Sequence, residues 1–187
     1  MTLVFFLEEP SAKAMLEGII PRIVDSSVTV KYITFDGKQD LDKQIEKKIK
    51  NWIIKDTKFI IIRDKDSGNC LVIKNNLERK CQNAGRDDVL IRIACHELES
   101  WYLGDLQAVE KGLGVGGLSK LQEKQKYRDP DILGNASEEL VRLSKQTYQK
   151  KAGSRAIAPF LNLDGRNKSY SFNLLVDGIR DIIEGRR

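Results

Sequence analysis

The chain has 187 residues, 41% of them hydrophobic and 32% charged, which is ordinary for a globular domain with a sizeable core. No stretch approaches the length needed to span a bilayer, and the start Met1-Thr2-Leu3 lacks the basic opening of a signal peptide. A membrane role is therefore excluded and a cytoplasmic location expected. Lysine and arginine outnumber aspartate and glutamate by 32 to 27, and this net charge of +5 tilts the choice of partner toward a polyanion.

The first half alternates strand and helix. Leu3-Val4-Phe5-Phe6-Leu7 is a short apolar strand, and Pro10 suits the first turn of a helix over residues 12–23. Val28-Thr29-Val30-Lys31-Tyr32-Ile33 is β-branched and reads as a second strand. Asp36-Gly37 then turns the chain into an amphipathic helix bearing Leu41, Ile45, Ile49 and Trp52. Phe59-Ile60-Ile61-Ile62 is a third strand, apolar enough to be buried on both faces. A helix over residues 71–81, closed near Gly85, leads to a fourth strand at Val89-Leu90-Ile91-Arg92-Ile93-Ala94. This order predicts an α/β fold: a mostly parallel four-stranded sheet with helices on both faces. Beyond Ala94 the pattern is helical, over residues 97–111, 118–126, 137–150, 154–160 and 171–184, with glycines 112, 114, 116 and 117 as a joint. The expected organisation is an α/β core over residues 1–100 and a helical C-terminal extension over residues 101–187 packed on it.

Acidic residues gather where these strands end. Glu8 and Glu9 follow the first strand, Asp64 and Asp66 the third, and Glu97 and Glu99 the fourth. If the strands are parallel, all of these lie along the carboxyl edge of one sheet, where open α/β folds bind ligands. Carboxylates packed together repel, and one or two Mg²⁺ or Mn²⁺ ions would relieve that repulsion. Asp-x-Asp alone is a weak motif, since such pairs also cap helices and fill turns. Side chains two apart on a helix differ by about 200°, so only one of Glu97 and Glu99 can face the site. His96, the sole histidine, excludes a His-rich zinc site; it is a structural histidine or a proton shuttle. Cys70, Cys81 and Cys95 have neither zinc nor redox spacing and read as reduced, half-buried thiols.

Glu8 at a strand end, then Asp64-Lys65-Asp66-Ser67-Gly68 after a later apolar strand, resembles the Toprim domain. Topoisomerases, bacterial primases, ribosomal RNA maturation nucleases and overcoming-lysogenization-defect nucleases share that domain. Glu9 stands where Toprim proteins usually carry glycine, and Gly68 replaces the third aspartate of the topoisomerase version. Glu99-Ser100-Trp101-Tyr102-Leu103-Gly104-Asp105 and the stretch from Gly153-Ser154-Arg155 to Ser169-Tyr170-Ser171-Phe172 resemble a narrower Toprim-like family of unknown function. Its members accompany ATPases in microbial defence loci. The resemblance implies Mg²⁺- or Mn²⁺-dependent phosphodiester hydrolysis of nucleic acid, with a setting in phage defence. Glu8, Asp64, Asp66 and Glu99 would be both the catalytic and the metal-holding residues, Glu99 being preferred to Glu97 because it matches the family segment. The alternative is a non-catalytic Toprim-like binding or regulatory subunit of an ATPase partner. Lys151, Arg155 and Arg166 in the basic C-terminal third are the candidates for phosphate contacts. Trp101 reads as core, and Asp105 either braces a basic residue or reaches the site.

Overall fold

Apolar, β-branched runs form strands where both faces can be covered, and the chain has four: β1 (Thr2–Leu7), β2 (Thr29–Thr34), β3 (Thr57–Asp64) and β4 (Leu90–Ala94). A computed structural model describes residues 1–186. All strand pairs are parallel, in the order β2-β1-β3-β4. Helices α1 (Pro10–Ile19), α2 (Lys38–Lys50) and α3 (Cys70–Asn83) make the three crossovers. The chain steps one way from β1 to β2, then reverses through β3 to β4. Right-handed crossovers therefore put α1 on one face and α2 and α3 on the other.

The two cores follow that division. Val4, Phe6, Phe59 and Ile61 pack with Leu41, Ile45 and Ile49 of α2 and with Ile73 and Leu77 of α3. Leu3, Phe5, Leu7, Ile60 and Ile62 face α1 on the other side. The same second core takes in most of the later helices: α4 (Glu99–Leu103), α5 (Leu106–Leu113), α6 (Gln125–Arg128), α7 (Ala136–Leu143), α8 (Lys150–Ile157) and α9 (Tyr170–Ile183). The C-terminal half thus completes the apolar cover of one sheet face.

α8 is wedged into this layer by small residues. A Cβ on Gly18 would lie 2.6 Å from the Ala158 Cβ, and one on Gly112 would lie 2.6 Å from the Ala156 carbonyl oxygen. Gly112 is thus a helix-crossing point inside α5, not part of a joint. With Lys150 beside Glu9 at one end and Ala158 beside Gly18 at the other, α1 and α8 run in the same direction.

Several helix boundaries differ from the sequence pattern. α1 gives way to a 3-10 turn at Ile20–Arg22, because Pro21 has no N–H to continue the ladder. The helix expected over 97–111 is broken at Gly104-Asp105. Asp105 caps α5, and Gly104 is pressed against Asn167 too closely for any side chain. Residues 118–126 form a 3-10 turn (Ser119–Leu121) and the start of a short helix. The helix expected over 137–150 ends at Leu143, since Lys145 and Gln146 take left-handed φ values of 53° and 67°. Lys150 consequently opens α8 instead of closing the preceding helix.

Candidate functional site

The strand order reverses between β1 and β3, which makes their carboxyl ends the topological switch point, and the acidic residues gather there. Glu8 leaves β1 and accepts the Asp64 backbone N–H on Oε2 at 3.1 Å, tying the two strand ends together. Asp64 is the last residue of β3 and faces Glu8, Glu9 and Glu99. Burial, then those three carboxylates in that order, push its pKa well above the usual range, against the opposing Leu98 backbone N–H. Glu8 is raised for the same first reason; the Asp64 N–H offsets part of the rise, and Asp66 adds to it.

Glu99 is the deepest member. It is 0% exposed at the start of α4, where the turn after β4 drops it behind the sheet edge. Its Oε1 accepts the Tyr148 hydroxyl at 2.9 Å, but its Oε2 is buried without a partner. Burial raises its pKa; the Lys150 ammonium and the Tyr148 hydroxyl hold it partly down. The Tyr102 hydroxyl is also buried, near Ser154, and it senses the Glu99 charge. Glu97 points elsewhere: its Oε2 accepts the Ser137 backbone N–H at 2.7 Å, serving the start of α7.

Asp66 does not join Asp64. In a continuing strand, residues two apart share a side, but Asp66 sits in a left-handed turn at φ 51°. It faces Lys38 at the start of α2 and pairs with its Nζ at 2.7 Å. Glu8 lies between the two aspartates and feels both charges. His96, left-handed at φ 67°, has its Nε2 3.3 Å from the Lys65 Nζ, and its carbonyl accepts the Asp66 N–H at 2.7 Å. That bond stitches the β3 and β4 loops together. Asp105 is structural: its two oxygens accept the Ala108 and Asn162 backbone N–H groups. Trp101 is core, 0% exposed, donating to the Ser171 hydroxyl at 2.8 Å.

Lys150, Tyr148, Tyr102 and Lys38 are the site residues that motif reading did not single out. Lys150 is half-exposed and lies 3.6 Å from Glu9 Oε2. Burial alone would lower its pKa, but Glu99, Glu9, Asp64 and Glu97 outweigh that and hold it above the usual lysine value. Of the proposed phosphate contacts, Lys151 and Arg155 line a hollow with Lys13 between α1 and α8. Arg166 stands apart, paired with Asp164 at 2.8 Å.

Glu8, Asp64 and Glu99 converge in charge, yet among the described residues no three acidic, histidine or cysteine side chains form a ready metal cage. Mg²⁺ commonly keeps several waters and takes only one or two carboxylates from a protein. The unpartnered Glu99 Oε2 and the mutually repelling Asp64 and Glu8 fit such a partial donor set.

Fold and site together define a parallel α/β protein with a half-buried acidic cluster at its topological switch point. The chain matches the family described as domain of unknown function (DUF4276) over residues 7–180, and it belongs to that family. No curated protein and no solved structure matches it. Among the described residues, no helix is long and apolar enough to cross a membrane.

Proposed function

We propose that the protein is a Mg²⁺- or Mn²⁺-dependent nuclease that hydrolyses phosphodiester bonds of nucleic acid, in keeping with the Toprim resemblance. One observation carries the reading: Glu8, Asp64 and Glu99 converge at the switch point while Glu99 Oε2 is buried without a hydrogen-bond partner. Asp64 and Glu99 are the residues that would hold the ion, with Glu8 beside them. A bound ion there would supply Lewis-acid polarisation of a phosphoryl oxygen and a more acidic water. Glu8, whose raised pKa favours holding a proton, is placed to act as general acid or base. Asp66 stays at the mouth with Lys38, and Lys151 and Arg155 offer phosphate contacts alongside.

A second reading is a non-catalytic binding or regulatory subunit of an ATPase partner. The pairing of Asp66 with Lys38, and of Glu9 with Lys150, favours it by neutralising part of the cluster internally. Incubating the pure protein with DNA and with RNA, in Mn²⁺, Mg²⁺ or EDTA, tests the first reading. Cleavage that needs the metal and is lost in Asp64→Asn is expected. Cleavage that survives in Asp64→Asn would sink the assignment. Absence of any thermal shift at millimolar Mn²⁺ would favour the second.

A further inference from the structure

At the opposite end of the sheet, the loop from α2 into β3 holds a partly exposed tryptophan among lysines. We propose that this is a separate binding site for single-stranded nucleic acid, in which a base stacks on Trp52 and Lys47 and Lys48 hold its phosphates. A hollow of about 380 Å³ is lined by Gln44, Lys47, Lys48, Asn51 and Trp52, a volume within the range of small-ligand sites.

The platform is rigid. Trp52 Nε1 donates to Thr57 Oγ1 at 3.1 Å, and that hydroxyl donates to the Ile54 carbonyl at 2.8 Å. The indole also meets the Phe59 ring edge-on, with centroids 5.7 Å apart. A ring fixed before binding loses little freedom when a base stacks on it.

Its surroundings select the ligand. Lys47 and Lys48 are exposed in the last turn of α2. Gln44 gives its amide N–H to Asp40 and keeps its carbonyl, and Asn51 offers a side-chain amide, so base edges find partners. Ile53, the residue after Trp52, is 91% exposed and leaves an apolar side chain in solvent. A bilayer would use the isoleucine and the lysines but neither amide. The site does not depend on the acidic cluster, which lies beyond the far ends of the strands.

The other tryptophan, Trp101, is 0% exposed, so emission changes report Trp52. In EDTA, to prevent any cleavage, short oligodeoxythymidylate is titrated while tryptophan emission and the anisotropy of a labelled oligomer are read. Saturable quenching is expected, with at least about fivefold weaker binding in Trp52→Phe and about tenfold or more in Lys47→Glu/Lys48→Glu. Asp64→Asn should bind as wild type does, which separates this site from the proposed metal centre. Should Trp52→Phe fold poorly, the lysine pair decides. Binding without quenching, or equal binding of inorganic polyphosphate, would overturn the stacking site. Quenching by phosphatidylserine vesicles but not by the oligomer would assign the patch to a membrane surface and overturn it too.

Discussion

Replacing Gly153 with alanine sets two physical effects against each other. In an exposed helix, alanine in place of glycine stabilises by about 1 kcal/mol, because the glycine backbone loses more freedom on folding. Gly153, however, lies in α8 under the Tyr148 ring, and an added Cβ would fall 2.3 Å from two ring carbons. The ring must then retreat by about 1 Å to reach ordinary contact near 3.4 Å. Its hydroxyl sits 2.9 Å from Glu99 Oε1, so the same movement breaks that bond. Overpacking costs about 1–3 kcal/mol, and losing a hydrogen bond to a buried carboxylate about 1.5–3 kcal/mol. After the helix-propensity gain is subtracted, Gly153→Ala should be destabilised by about 1.5–5 kcal/mol. Urea denaturation at neutral pH measures this, with Tyr148→Phe isolating the lost hydrogen bond. Because alanine already breaks that bond, the two substitutions should be less than additive. A Gly153→Ala protein as stable as wild type would refute the proposed packing of Tyr148 against α8.

Three further outcomes are expected. Glu139, 3% exposed, has its pKa lowered to about 2 by hydrogen bonds from Arg142 first and also from Lys126 and Tyr127. Its contribution is therefore present above the unfolded value near 4.5 and lost as pH falls toward 2; Glu139→Gln should remove about 1–2 kcal/mol at pH 7 and flatten the acid limb of a urea titration. Asp64 has the opposite sign: its folded pKa is raised, so stability present below the unfolded value of 3.8 is lost as pH rises, and in EDTA Asp64→Asn should melt higher than wild type at neutral pH. Lys150→Met removes the resident positive charge, so Mn²⁺ followed by thermal shift should bind up to about fivefold more tightly; unchanged affinity would show that Lys150 does not compete for the site.

The sheet was legible because its signals are local. Buried strands need apolar β-branched runs, and Phe59 to Ile62 announces one without help from the rest of the chain. Alternation of four such runs with helices implies a parallel sheet, whereas the strand order that puts the switch between β1 and β3 depends on how the helices pack and is not written in any one segment. The later helices were harder to place because their limits depend on contacts far away in sequence. Gly104 stops α4 by packing on Asn167, and Lys145 and Gln146 adopt left-handed turns that ordinary residues do not advertise. The site was half legible for a related reason. Glu8 and Asp64 follow from strand ends and Glu99 from the family segment, whereas Asp66 parts from Asp64 through one backbone angle and Lys150 arrives from α8.

That arrival explains how the acidic edge is sorted. The N-termini of α1 and α8 both face the edge, and helix N-termini favour nearby negative charge. The pKa values of Glu8, Asp64 and Glu99 are nevertheless raised, so burial and mutual repulsion outweigh whatever the dipoles supply. The protein's own cations reach the rim: Lys38 pairs with Asp66 and Lys150 approaches Glu9. Glu8 and Glu99 take backbone and hydroxyl hydrogen bonds instead, Lys150 acts on Glu99 through its field, and Glu99 Oε2 has no hydrogen-bond partner. A structural ion-pair network would have paired the most buried carboxylate first, because leaving it bare costs most. Asp66 and Glu9 at the rim are paired at contact distance, whereas Lys150 acts on Glu99 only through its field and Glu99 Oε2 has no hydrogen-bond partner, an order that would suit an external cation at Glu8, Asp64 and Glu99.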